Sequence, residues 1–101
     1  MLFQYLNQAA VWRRYIGYEQ DEIGQPIPIY EDIPVRVRWE GKRRLVRNQS
    51  GAEVVSESRV FCREAVQPGD KMVYSGQEWP VIAVSDYPDK AGRIVYREVA
   101  V

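Results

Sequence analysis

Apolar and polar residues alternate along this chain with a period of two, in short runs separated by turn residues. The clearest run is Ile33–Trp39, where Ile33, Val35, Val37 and Trp39 fall on one side and Arg36 and Arg38 on the other. Successive side chains of a strand point to opposite faces, so this run predicts a half-buried strand with one wet face. Glu53–Arg63 alternates in the same way. Val54, Ser56, Ser58, Val60 and Cys62 share a face of small residues, opposite Val55, Glu57, Arg59, Phe61 and Arg63. Further strands are predicted over Ala10–Tyr18, Lys71–Ser75, Glu78–Ser85 and Arg93–Val101, which are rich in β-branched and aromatic residues. Pro80 marks a sheet edge or a strand start, because proline offers no N–H to a central ladder.

The intervening segments carry turn chemistry. Glu19–Pro26 is acidic and contains Gly24 and Pro26, Ala65–Asp70 contains Pro68 and Gly69, and Gly76–Gln77 and Asp86–Gly92 complete the set. Glu40–Glu53 predicts a long hairpin loop with extended arms and a tip near Asn48–Gly51; connections this long carry function or are disordered. Its polar and basic content disfavours packing, so Gly41–Ala52 is expected to be mobile in the free subunit. Near the start, Leu2, Leu6 and Ala9 fit a helical spacing over too short a stretch to define a helix. Six such strands without a long helix predict a mostly-β fold, a small antiparallel β-barrel or sandwich with one long basic hairpin loop. Its core is expected to include Val35, Val37, Trp39, Val60, Met72, Val81, Ile94 and Tyr96.

A length of 101 residues sets one domain, residues 1–101. The 14 basic and 14 acidic side chains cancel, so any attraction to nucleic acid must come from a local patch. No apolar run approaches the roughly 20 residues that span a bilayer, and no membrane partner is expected. The opening MLFQYLNQAAV lacks the basic and long apolar regions of a signal peptide. The chain has no histidine and a single cysteine, Cys62. Cys62 therefore has no internal disulfide partner and no imidazole base, and reads as a small half-buried hydrophobe. Zinc sites fail for the same reason. No βαβ rhythm, G-x-G-x-x-G or phosphate-binding loop is present. Neither an enzyme nor a cofactor is expected.

Two charged segments are the functional candidates. Arg36, Arg38, Lys42, Arg43, Arg44 and Arg47 cluster within twelve positions, with Glu40 opposing them. The planar guanidinium donates two parallel hydrogen bonds to a phosphate, so the cluster reads either as a solvated face or as a phosphate contact. Glu19, Asp21, Glu22, Glu31 and Asp32 flank the first hairpin. DEIGQ lacks the ligand alternation of a calcium loop. Asp21 and Glu22 sit on a turn with no pocket for acid–base work. One acidic and one basic hairpin can instead pair between neighbouring copies in a ring. The strand aromatics are mostly core and cross-strand packing, with a minority available as interface anchors.

The order of these features resembles the head–tail joining proteins of long-tailed phages. LNQAAVWRRYIGYEQDEIGQPIP is similar to their first hairpin, in which a strand enters a D-E-x-G-x-P turn, here Asp21, Glu22, Gly24 and Pro26. VRVRWEGKRRLVRNQSGAEVVSESRVFC resembles their long polar excursion and return, and VQPGDKMVYSGQEWPVIAVSD their late hairpin with its P-G-D turn. The resemblance implies a small β-barrel stopper or head-closure protein of the virion neck, assembled in the host cytoplasm. Such a protein forms a homo-oligomeric ring on the portal–adaptor ring, closes the channel over the packaged double-stranded DNA and docks tail-terminator or tail proteins. It implies Lys42, Arg43, Arg44 and Arg47 at the DNA channel, and Glu19, Asp21, Glu22, Arg36 and Arg38 at contacts between subunits. The excursion tip here is short and lacks a bulky apolar plug. The alternative reading is a stand-alone nucleic-acid-binding barrel that uses the basic 36–47 segment on phosphates.

Overall fold

The structure is a computed structural model and describes residues 6–101. Leu2, part of the short helical spacing, lies outside them. Seven strands follow in order: β1 Gln8–Gln20, β2 Pro26–Arg47, β3 Glu53–Cys62, β4 Lys71–Tyr74, β5 Gln77–Pro80, β6 Ala83–Pro88 and β7 Ile94–Ala100. They form one antiparallel sheet in the order β5-β4-β1-β2-β3-β7-β6. The chain is thus mostly β, as its alternation predicts.

β2 organises the sheet. It is 22 residues long. Its first half, Pro26–Val37, pairs with β1, and its second half, Arg38–Arg47, pairs with β3. The strand is longer at both ends than the Ile33–Trp39 run that the alternation predicts, and it contains Pro26, Pro28 and Pro34. Their parity explains why they do not break it. Trp39 N–H donates to Gln8 Oε1 of β1 at 2.6 Å, so odd-numbered N–H groups of β2 face β1 and even-numbered ones face away. All three prolines are even-numbered. They remove no β1–β2 hydrogen bond, and they blunt the outer edge of this part of β2.

The two edges of the sheet, β5 and β6, are consecutive in the chain and joined by Val81 and Ile82 alone. Three Cα steps span at most about 11 Å, so the sheet must curl until its ends approach. No ladder joins β5 to β6, and the sheet is not closed into a barrel. The seam is held instead by Val81 N–H to Asp70 O at 3.0 Å and Ile82 N–H to Ala100 O at 2.8 Å. The expected single strand Glu78–Ser85 is therefore two strands, and Pro80 lies at the end of the first, on an edge strand as its missing N–H predicts.

The concave side buries Trp12, Val35, Val37, Val60, Cys62, Val66, Met72, Val81 and Val99. Trp39 is half-buried against this core, stacked on Tyr74 at 4.4 Å and edge-on to Trp79. The small face of β3 also turns inward, with Ser56 and Ser58 buried. Ser56 Oγ donates to Ser58 O and Val101 O, and the amides of Glu57 and Ser58 also donate to Val101 O. Small residues are needed there because Val101 lies across the strand. Ile94 is a correction: it is exposed, not core. It pairs with Pro88 at the far end of the β6–β7 hairpin, whereas β3 meets β7 only from Arg97 onward. Tyr96 is a second correction: it is half-buried on the opposite face from Val99, stacked on Tyr87 and edge-on to Phe61, and is not part of the core.

Candidate functional site: two charged hairpins at the ends of β2

Three hairpins close with the same turn. In the first, Asp21 Oδ1 accepts from the amides of Ile23 and Gln25, both at 2.9 Å. Gly24 N–H donates to Asp21 O, and Asp21 N–H to Gln25 O. Asn48 and Asp89 make the equivalent set with Ser50, Gly51 and Ala52, and with Ala91, Gly92 and Arg93. Gly24, Gly51 and Gly92 have φ of 84°, 86° and 82°, the left-handed region where glycine is favoured. This is a three-residue loop, a type I turn followed by a left-handed residue. Its sequence signature, Asp or Asn three residues before Gly, is visible in DEIGQ, NQSGA and DKAGR once the three are aligned. The tips differ in what they display: Glu22 and Ile23, Gln49 and Ser50, Lys90 and Ala91.

The first of these hairpins, β1–β2, carries exposed Tyr15, Ile16, Tyr18, Ile23 and Ile27. Ile16 is the extra residue of a bulge in β1. Among the described residues neither Glu19 nor Glu22 has an ion-pair partner. Asp21 differs from both, since one carboxylate oxygen shapes the turn. Lower on the hairpin, Arg13 bridges Asp32 at 2.9 Å and Glu78 at 2.8 Å, and Lys71 binds Glu78 at 3.2 Å. The Arg13 hydrogen bonds hold the Asp32 and Glu78 carboxyls below the usual range, helped at Glu78 by Lys71. Glu31 sits 3.8 Å from Arg14. The root is fixed by Asp70, which is buried. Its carboxylate accepts from Trp12 Nε1–H, Tyr15 N–H and Gln67 N–H, each at 2.9 Å.

The basic hairpin, β2–β3, is laddered to Arg47, with one bulge between Gly41 and Arg44. The expected long loop Gly41–Ala52 is corrected accordingly: Gly41–Arg47 belongs to β2, and only Asn48–Ala52 is turn. Its cations do not form one patch. Arg43 lies 3.8 Å from Glu57, and Arg47 lies 3.6 Å from Glu53 and donates to Gly51 O. Arg44 turns toward β7 and binds Glu98 at 3.1 Å, leaving its buried Nε without a partner. Leu45 and Val55 form an exposed cross-strand pair between the two outer ion pairs. Lys42 is exposed and has no ion-pair partner among the described residues. On the body, Arg38 and Arg59 both bind Glu40 at 2.7 Å and lower its pKa. Arg36 makes one long bond, 3.4 Å to Asn7 O.

Beside Arg36 lies a groove of about 470 Å³. Leu6, Ala9, Ala10, Pro34 and Val35 give it an apolar lining, and Arg36, Arg63 and Glu64 its charged rim. Sequence reading missed it, because it joins the starts of β1 and the post-β3 segment. Cys62 is fully buried and burial pushes its thiol up to about 12, so it is an uncharged core group. Among the described residues no group of three or more His, Cys, Asp or Glu side chains could hold a metal ion. No protein-family model matches this chain, and no curated protein matches it.

Proposed function

We propose that this protein is a head-closure component of a long-tailed phage neck, a non-enzymatic subunit of a ring on the portal–adaptor assembly. The ring closes the channel over packaged double-stranded DNA and offers a docking surface to tail proteins. The carrying observation is the placement of two laddered hairpins of opposite charge at opposite ends of one strand. That arrangement suits a ring subunit that meets a neighbour through one hairpin and presents the other to the channel. The resemblance supports the reading further, because its D-E-x-G-x-P and P-G-D motifs fall at the first hairpin tip and at the Asp70 anchor of that hairpin. In this reading the curled sheet acts as a barrel whose β5–β6 seam is held by Val81 and Ile82. Lys42, Arg43 and Arg47 face the channel, and repetition around the ring multiplies their contacts with phosphate. Arg44 is set apart from them by Glu98.

The stand-alone nucleic-acid module is less favoured, because in a single subunit Glu53 and Glu57 partly offset Arg47 and Arg43 and Glu98 takes up Arg44, whereas a ring multiplies what remains by its copy number. The test assembles particles with Lys42, Arg43 and Arg47 all changed to Ser. The variant should fold and join the head, yet lose DNA retention and infectivity. Failure to join the head would remove the channel assignment. Tight, strongly salt-dependent DNA binding by the monomer would favour the module instead.

A further inference from the structure

We infer that the Ile23 tip of one copy seats in the Ala9–Ala10 groove of a second copy of this chain, with Glu19 and Glu22 set against Arg36 and Arg63. Three independent features lead there.

The first is an internal comparison. The Asx–Gly turn forms equally well around Ser50 and Ala91, so its geometry demands nothing large at the third position. Only the first tip places an isoleucine there, and it is 77% exposed, the highest value among the large exposed hydrophobics of the described residues. Tyr18 at 62% and Ile16 at 53% extend the apolar surface down the hairpin. A single exposed apolar residue is ordinary, but a rigid tip that concentrates several is the mark of a contact surface.

The second is charge. Glu19 and Glu22 flank Ile23 without ion-pair partners among the described residues. The groove offers the complement: an apolar lining with small Ala9 and Ala10, rimmed by two arginines and one glutamate. Opposite charge around an apolar centre gives both register and steering.

The third is reach. Ala10 and Gln20 lie ten residues apart on β1, about 33 Å at the usual rise per residue. The tip cannot fold back along its own ladder to the groove, so the occupant is another molecule. Strand addition along the outer edge of β2 is blocked by Pro26, Pro28 and Pro34, so that edge does not compete with the tip for a partner.

Tip and groove are different surfaces, so every copy has one of each. Such a contact repeats from copy to copy and closes into a ring where the rotation allows. Only this closure rests on the neck-ring reading; the contact itself belongs to the isolated chain.

The test is disulfide trapping of the purified full chain carrying Ile23→Cys and Ala9→Cys, run on a non-reducing gel. Trapping captures a contact even if it is weak in solution. A covalent ladder beyond the dimer is expected. The control pair Ala91→Cys and Ala9→Cys, which uses an identical turn with a small display, should give none. Adding Arg36→Glu to the trapping pair should cut the ladder roughly tenfold, and Glu22→Arg should restore it. An unchanged urea midpoint confirms the fold, and Arg36→Cys serves as the groove position if Ala9→Cys shifts that midpoint. No ladder, or a ladder equal to the Ala91 control, overturns the contact. A ladder from a chain that ignores portal–adaptor rings keeps the contact and removes the neck reading. Binding to those rings without a ladder does the reverse.

Discussion

The β1–β2 and β2–β3 hairpins share a strand and a turn but use their surfaces in opposite ways. The second spends its charges internally: Arg43 faces Glu57, Arg47 faces Glu53, and Arg44 reaches Glu98 on a third strand. The first leaves Glu19 and Glu22 unpaired among the described residues and surrounds them with exposed Ile and Tyr. Its root is held by Asp70 and by the Arg13 ion pairs to Asp32 and Glu78. The charge richness of a segment is therefore a poor guide to the charge it offers a partner, because cross-strand register decides which charges are already satisfied.

Removing the root anchor should separate the two hairpins most. Asp70→Ala leaves three donors, Trp12 Nε1–H and the amides of Tyr15 and Gln67, without their acceptor. Buried donors left unpaired cost about 1–3 kcal/mol each before relaxation, so a net loss of about 3 kcal/mol is expected in urea unfolding. Amide exchange should accelerate at Tyr15 and in the β1–β2 hairpin but not in the β2–β3 hairpin. Equal acceleration in both would break the distinction.

Within the basic hairpin, Arg44→Ala should cost about 1–2 kcal/mol, because Glu98 keeps only Arg59 at 3.6 Å. Arg43→Ala and Arg47→Ala should each stay within about 0.5 kcal/mol, as exposed pairs do. Equal costs for all three would mean that the partition read from the geometry is wrong.

The shared turn is tested by Gly24→Ala, Gly51→Ala and Gly92→Ala. A Cβ meets nothing within 4 Å at any of them, so the cost is conformational alone. About 1 kcal/mol is expected at each site, equal across the three.

The smallest effect is with pH. Asp32, Glu40 and Glu78 have lowered pKa values in the fold. Their contribution is complete above the ordinary carboxylate range and is lost as pH falls through and below it. These groups are solvated, so added salt should shrink the acid-dependent loss seen in thermal melts.

How much of this was legible in the sequence follows from which rule governs each residue. Alternation is local, so the Val35–Val37 strand and the small face of β3 were readable without coordinates. The length of β2 was not, because a proline breaks a strand or spares it according to which way its missing N–H would point. The basic segment was misread as a loop for a related reason. Its neutralising glutamates sit across the ladder at Glu53 and Glu57, or two strands away at Glu98, and adjacency in sequence says nothing of them. Ile94 looks like core by pattern, but its hairpin runs past the body. The three equal turns were visible as turn residues, yet their identity, and hence the oddity of Ile23, needed the common hydrogen-bond set.

The continuity of β2 also has a mechanical meaning. A pull applied at the Gly24 tip and resisted at the Gly51 tip travels through the covalent backbone of all 22 residues of β2, a strand that bends with the curled sheet. It need not cross a single hydrogen bond to pass from one end of the molecule to the other. The ladders to β1 and β3 are loaded along their length, in shear, where many bonds share the strain and none is opened first. The strand is a tie that follows the curl of the sheet.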